Sequence, residues 1–177
     1  MRMRCSKEST WFHVVQFPAR ITPLFCEFEM LREIRFGAAR AADMHAVAEF
    51  CAAWEIEAQT DTADETRLHH VGRLEGKIVA WAFGECLDET FVVRAVFVLP
   101  ELRQQGIATL LVGALLMRAR THRCTTAILL TTDHPTFFAR HGFSLTSLDA
   151  VSRKLKLSRE FQRRFGARML CMCRRLD

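Results

Sequence analysis

The feature that most constrains this chain is residues 90–131, where two apolar strands bracket an amphipathic helix. Residues 90–99 (TFVVRAVFVL) are rich in β-branched and aromatic side chains, as a strand buried on both faces requires. Pro100 stops that strand. A polar loop over 101–105 then leads to Gly106. From 107 to 120 the residues Ile107, Leu110, Leu111, Ala114, Leu115 and Met117 give a broad apolar stripe, which predicts a helix with one buried face. Residues 126–131 (TAILLT) read as the second strand. Strand, helix and strand together predict a right-handed βαβ unit with parallel strands.

The flanks add antiparallel elements. Residues 33–36 read as a short strand, and 38–54 as a helix with Met44, Val47, Ala48 and Cys51 at helical spacing. Residues 56–67 are acidic, lack an apolar period and read as a loop. Residues 70–74 and 77–86 read as a hairpin around Glu75-Gly76, where Gly tolerates the positive φ of a tight turn. Asp88-Glu89 turns the chain into the strand at 90. A short helix over 134–140, a Gly142 C-cap and a strand over 143–146 follow. Residues 158–165 read as a further short helix and 167–174 as a last strand. Residues 1–30 read as an irregular extension and 31–177 as one domain, since 177 residues suit a single core.

Charge and cysteines narrow the function classes. Residues 43–89 hold eleven acidic side chains against three Lys or Arg, whereas 152–175 holds nine Lys or Arg against Glu160 alone. The basic end could meet phosphates, but no stacking aromatics are interleaved with it as in an RNA-binding sheet, so nucleic acid is not the expected partner. The longest largely apolar run, 106–117, has 12 residues, short of the ~20 that span a bilayer. The seven cysteines (Cys5, Cys26, Cys51, Cys86, Cys124, Cys171 and Cys173) show no zinc spacing. They read as reduced thiols in a cytoplasmic protein, and no metal is expected.

The stretch that carries chemistry is 96–111, VFVLPELRQQGIATLL. The first amides of a helix lack internal partners, and the helix dipole places partial positive charge there. Gly106 and small Ala108 let a ligand approach the backbone, and Arg103 adds a cation. A pyrophosphate is the natural guest. Downstream, 130–143 (LTTDHPTFFARHGF) places a short helix and a Gly-Phe turn just after the second strand.

On these two motifs, Arg103-x-x-Gly106-x-Ala108 and Phe137-Phe138-Ala139-Arg140-His141-Gly142-Phe143, the chain resembles the GNAT (GCN5-related) N-acetyltransferase family over roughly 33–146. The string FFARHGF is nearest to the amino-acid acetyltransferase subgroup, of the N-acetylglutamate-synthase or arsenic-resistance type. The resemblance implies an α/β (α+β) fold: a mixed, mostly antiparallel sheet with a central parallel, splayed strand pair flanked by helices. It implies acetyl-CoA as co-substrate, an amine acceptor and a homodimer as a common assembly. The backbone of Val96, Phe97 and Val98 would pair with the pantetheine arm. Arg103, Gln104, Gln105, Gly106, Ile107, Ala108 and Thr109 would hold the pyrophosphate, and Phe137 or Phe138 would flank the pantetheine near the thiol. A strand amide near Val98 could polarise the thioester carbonyl.

Phe138 stands where the family often carries a Tyr that protonates the leaving thiolate, and the chain contains no Tyr. Either water or another acid serves, the thiolate leaves unaided, or the domain binds acyl-CoA without catalysis. Glu85 is the expected general base, weighed against a solvent-facing carboxylate. Asp133 reads rather as the N-cap of the helix starting at Pro135. His134 is a loop histidine, His69 and His70 flank a strand, and Glu101 shapes a loop. Arg94, Arg140 or an arginine of the tail could meet a substrate carboxylate, though each reads equally as a surface residue.

Overall fold

The computed structural model describes residues 33–54, 64–147 and 169–177. Within them seven strands form one sheet: β1 (Arg35–Ala38), β2 (Arg67–Leu74), β3 (Lys77–Leu87), β4 (Thr90–Val98), β5 (Thr126–Thr131), β6 (Ser144–Leu145) and β7 (Leu170–Arg175). Their order is β1-β2-β3-β4-β5-β7-β6. Every neighbouring pair is antiparallel except β4 and β5, which run parallel. The helices are α1 (Met44–Ala53), α2 (Ile107–Thr121) and α3 (Pro135–Arg140).

The pleat sorts side chains to two faces. Ala80, Ala82, Val96 and Val98 pack with Leu111 and Leu115 of α2, and Leu129 packs with Phe138 of α3, in the larger core. On the opposite face Val71, Trp81, Phe83 and Phe97 meet Val47, Phe50 and Cys51 of α1. Further along that second face Val92, Ile128, Leu130 and Cys171 form a small cluster. The helix predicted from the sequence is the seam of the main core, but its buried face is Ile107, Leu111, Val112, Leu115, Leu116 and Ala119; Leu110 and Met117 of the expected stripe are exposed.

The β2–β3 turn has φ of 50° at Glu75 and 80° at Gly76, the backbone of a primed hairpin turn that matches strand twist. Several boundaries differ from the sequence expectation. The first strand lies at Arg35–Ala38. A 3-10 turn (Ala41–Asp43) precedes α1. The strand expected over 143–146 is only Ser144–Leu145, and the last strand is Leu170–Arg175. Most consequentially, β2 begins at Arg67 rather than His70, so His69 and His70 lie inside a strand instead of flanking one. The extension 1–30, the helix over 158–165 and most of the acidic loop fall outside the described residues.

Candidate active site

The parallel pair opens almost as soon as it forms. β4 and β5 are in register only at Thr90–Thr126, Phe91–Ala127 and Val92–Ile128, yet β4 runs on to Val98 and β5 to Thr131. The strands part beyond Val92, and their C-terminal ends form a fork. Open α/β sheets bind ligands at such carboxyl ends. One flank of the fork offers free backbone. Leu99 N–H donates to Val79 O on β3 at 3.0 Å. In an antiparallel ladder alternate residues serve the same neighbour, so Phe97 is also committed to β3, while Val96 and Val98 turn their polar groups to the open side.

Past the fork, a 3-10 turn (Pro100–Leu102) and residues 103–106 carry the chain into α2. Gly106 is the N-cap, with φ of 80° and no side-chain cap bond; Gln104 is also left-handed, with φ of 64°. A Cβ added at Gly106 would meet nothing within 4 Å. The loop is therefore open in front of the first helix amides, as an anion cradle requires. Arg103 departs from the simple cation expected there. Its Nε donates to Val98 O at 3.0 Å, and its guanidinium lies 5.6 Å from the Phe97 ring centre. It fastens the end of β4 to the loop. Its Nη1 is buried without a hydrogen-bond partner, so the cradle holds one polar donor not used by the fold. Those features fit a diphosphate carrier.

The face of the sheet away from α2 carries the titratable groups. Glu85 of β3 lies opposite Val92, the last residue of β4 paired with β5. A bulge interrupts the β3–β4 ladder here: Phe83 pairs with Ala95 and Gly84 with Val93, leaving Arg94 as the extra residue. Bulges re-aim a side chain, and Arg94 Nη2 reaches Glu85 Oε2 at 2.8 Å. Their side chains are 5% and 15% exposed. Neither is the solvent-facing residue that the sequence alone allowed.

His69 lies two strands from β4, opposite Phe83. Its ring stacks on Phe83 with centres 4.5 Å apart, and Trp81 Nε1 donates to its Nδ1 at 3.3 Å. Burial, helped by Arg118 and Arg67, pulls His69 down to about 4. Burial with Arg118 and Arg73 does the same to His70. Both are neutral near neutral pH.

At α3, Phe138 is fully buried against Phe143, while Phe137 is half-buried beside it. In this structure only Phe137 offers ring surface. Asp133 does not cap α3: His134 holds the N-cap position without a side-chain cap bond, and Asp133 instead accepts from Thr132 Oγ1 at 2.7 Å. Asp133 and Glu101 are exposed and Arg140 is a surface residue. Sequence reasoning missed the depth of His69 and the Glu85–Arg94 pair. One signal was available: two opposite charges in otherwise apolar strands on either side of the turn at 88–89. Among the described residues no cluster of three or more His, Cys, Asp or Glu could hold a metal, the five cysteines are free, and no helix is long and apolar enough to cross a membrane.

A splayed parallel pair beside a glycine-capped helix defines an acyl-CoA transferase fold, and the comparisons agree. The family model described as "Acetyltransferase (GNAT) family" matches residues 29–143, and the chain belongs to that family. Comparison with curated proteins gives no match. Among solved structures, N-acetylglutamate synthase from Neisseria gonorrhoeae, complexed with coenzyme A and N-acetyl-glutamate, superposes with a TM-score of 0.65 at 17% identity. That match covers 81% of this chain and 35% of the other, so the chain spans about a third of the Neisseria enzyme. Rv2747 from Mycobacterium tuberculosis, in complex with CoA, gives 0.63 at 24% identity over 78% of this chain and 97% of that one. The ribosomal-protein-S18-alanine N-acetyltransferase of Escherichia coli gives 0.60 at 14% over 81% and 94%.

Proposed function

We propose that this chain is an N-acetyltransferase that moves the acetyl group of acetyl-CoA to the primary amine of a small molecule, amino acids being the leading acceptor class. The observation that carries the reading is the position of Glu85. A part-buried carboxylate stands opposite the last paired residue of the fork, beside the gap an acyl carrier would enter.

Acetyl-CoA supplies an activated thioester when bound. The residues suited to hold it are the open backbone of Val96 and the N–H of Val98, the cradle from Arg103 to Thr109 and the ring of Phe137. Glu85 takes the proton of the attacking amine, directly or through a water, because only a neutral amine is nucleophilic. Arg94 fixes that carboxylate through Oε2. A backbone N–H on the open side of β4 donates to the carbonyl oxygen as negative charge develops there. With Phe at 138 and no Tyr in the chain, the thiolate leaves unaided or takes its proton from water, which suits a leaving group of ordinary thiol acidity.

The test is release of free thiol from acetyl-CoA over a panel of amines. The parent should turn over at least one amine, and Glu85→Gln should lower kcat by on the order of 10²–10⁴ while CoA affinity is held. CoA binding with no thiol released on any amine would instead favour a non-catalytic acyl-CoA-binding module.

A further inference from the structure

Cys86 and Cys124 are both buried in the main core. They come from different elements: Cys86 lies near the end of β3, and Cys124 in the turn between α2 and β5. Their thiols hydrogen-bond to each other. Backbone bonds fix both residues. Cys86 N–H donates to Thr66 O at 2.8 Å, Cys124 N–H to Ala119 O at 3.0 Å, and the following Thr125 N–H to Glu89 O at 2.8 Å. The acetyl-transfer reading uses neither thiol. Glu85 and Cys86 are consecutive on a strand and point to opposite faces. The thiols therefore lie under α2, on the other side of the sheet from the acceptor side that carries Glu85.

Their position along the strands gives the pair a consequence. Cys86 stands opposite Phe91, and Phe91 opposite Ala127, which is the paired stretch of β4 and β5. The thiols mark the closed end of that pair, and the fork opens at the other. Between them in sequence run residues 87–123, which contain β4, the cradle and α2. A bond between the two sulfurs would tie together both ends of the segment suited to hold the cofactor. The other described thiols are arranged differently. Cys51 belongs to the cluster on the opposite face, and Cys171 and Cys173 stand two apart on one strand, a spacing poorly suited to a bridge.

We propose that Cys86 and Cys124 are a redox-sensitive pair, closed to a disulfide by a hydroperoxide and reopened by a small thiol, that staples the cofactor segment at its closed end. The peroxide oxidises one thiol to a sulfenic acid and is itself reduced to water. The second sulfur then displaces the hydroxyl, a second water leaves, and the S–S bond forms. Two equivalents of a small thiol return both S–H groups and end as their own disulfide. The sulfurs are already in contact and have only to close to the ~2.05 Å of an S–S bond. Burial, then the neighbouring thiol, pushes Cys86 up to about 12, against a smaller pull from Arg118. The thiol is protonated at rest and reacts slowly beside an exposed one, so the pair answers sustained oxidation rather than a brief pulse.

The experiment exposes the reduced, folded chain to hydrogen peroxide without denaturant, caps the remaining thiols and maps peptides by mass. The expected product is a peptide joining Cys86 to Cys124 that is lost on re-reduction with dithiothreitol. The melting temperature should rise by about 5–15 °C on oxidation, because the link closes a long loop of the unfolded chain, and should return on reduction. Cys86→Ala and Cys124→Ala should each show no such link and no oxidation-dependent rise. If either variant folds poorly, the oxidised and reduced forms of the parent decide the matter alone. Both thiols still free after prolonged exposure, sulfinic acid at either without a link, or a link formed only in denaturant would overturn the proposal. So would a link that leaves the melting temperature unchanged or lowers it. None of these readouts uses acetyl transfer, so their failure leaves the transferase reading intact.

Discussion

The two faces of the sheet are built to different rules. The face under α2 is close-packed and almost wholly apolar: Phe91, Val93, Val96, Leu111 and Leu115 are all buried, with Ala80 and Ala82 leaving room for the helix. The face under α1 holds a thinner aromatic layer, and the Glu85–Arg94 pair, Arg67 and His69 share that side. A buried ion pair and an orphaned imidazole add little stability and can reduce it. The ion pair and the His69 ring share one side of the sheet, while His70, whose Nδ1 is also buried without a hydrogen-bond partner, is the polar exception on the packed side. The two histidines sample both sides, adjacent in sequence and opposite in direction.

Acid should expose that contrast most strongly. Both rings are held near 4 in the fold against 6.5 in an unfolded chain. Their pKa is depressed, so the unfolded state binds more protons between these values, and stability is full above pH 6.5 and falls as pH drops toward 4. Linkage puts the ceiling at about 3 kcal/mol per ring. Denaturant unfolding at pH 7 and pH 4.5 measures it. His69→Phe should remove the share from the α1 face and leave the His70 share; an unchanged pH slope in that variant would show that His69 is not held neutral by its surroundings.

A smaller effect tests the packed face. A methyl added at Gly84 would run into the Phe91 ring, which is fully buried. Gly84→Ala should cost about 1–3 kcal/mol by overpacking, read as a shift in denaturation midpoint. Adding Phe91→Leu should return part of it, because the shorter side chain vacates the clash. A single variant as stable as the parent would mean the face is looser than its burial suggests.

The same division explains what could be read without a structure. The β4–α2–β5 stretch was legible because both strands bury two faces and the helix one, so apolar pattern and geometry agree. The start of α2 was legible because Gly106 interrupts that pattern where a helix must begin. β2 was not: Arg67 and His69 break the alternation on the side that carries polar groups, so the strand looked three residues shorter than it is. The two opposite charges at 85 and 94 stood out in the sequence, but their pairing did not, for a related reason. Only the bulge, one residue longer on β4 than on β3, turns Arg94 toward Glu85, and no local signal announces where a ladder will slip. Asp133 and Pro135 looked like a capped helix start, yet the cap position fell one residue later on His134. In each case the misreading sits where a local rule gives way to an arrangement set by the fork or its neighbours.

The smallest effect concerns how α1 is tied to the sheet it covers. Asp43 ends the 3-10 turn ahead of α1, accepts the Arg40 backbone N–H at 2.7 Å and meets Arg73 of β2 at 2.7 Å. That backbone bond, then Arg73, holds its carboxyl below the usual carboxylate value. The group is ionised above that range, so its stabilisation is present above about pH 4 and fades as the carboxylate takes up a proton. The pair is partly exposed, at 25% for each side chain, and solvent screens it. Asp43→Asn keeps the side chain's shape and an acceptor oxygen, and should cost about 0.5–1 kcal/mol at low salt and less in 1 M salt. The helix should stay in place, because Val47 and Phe50 still bury against Trp81, Phe83 and Phe97. If instead the variant melts as far below the parent as Gly84→Ala, the thin aromatic layer is not what seats α1. The charge pair would then be a structural anchor of the acceptor side rather than a trim on its edge.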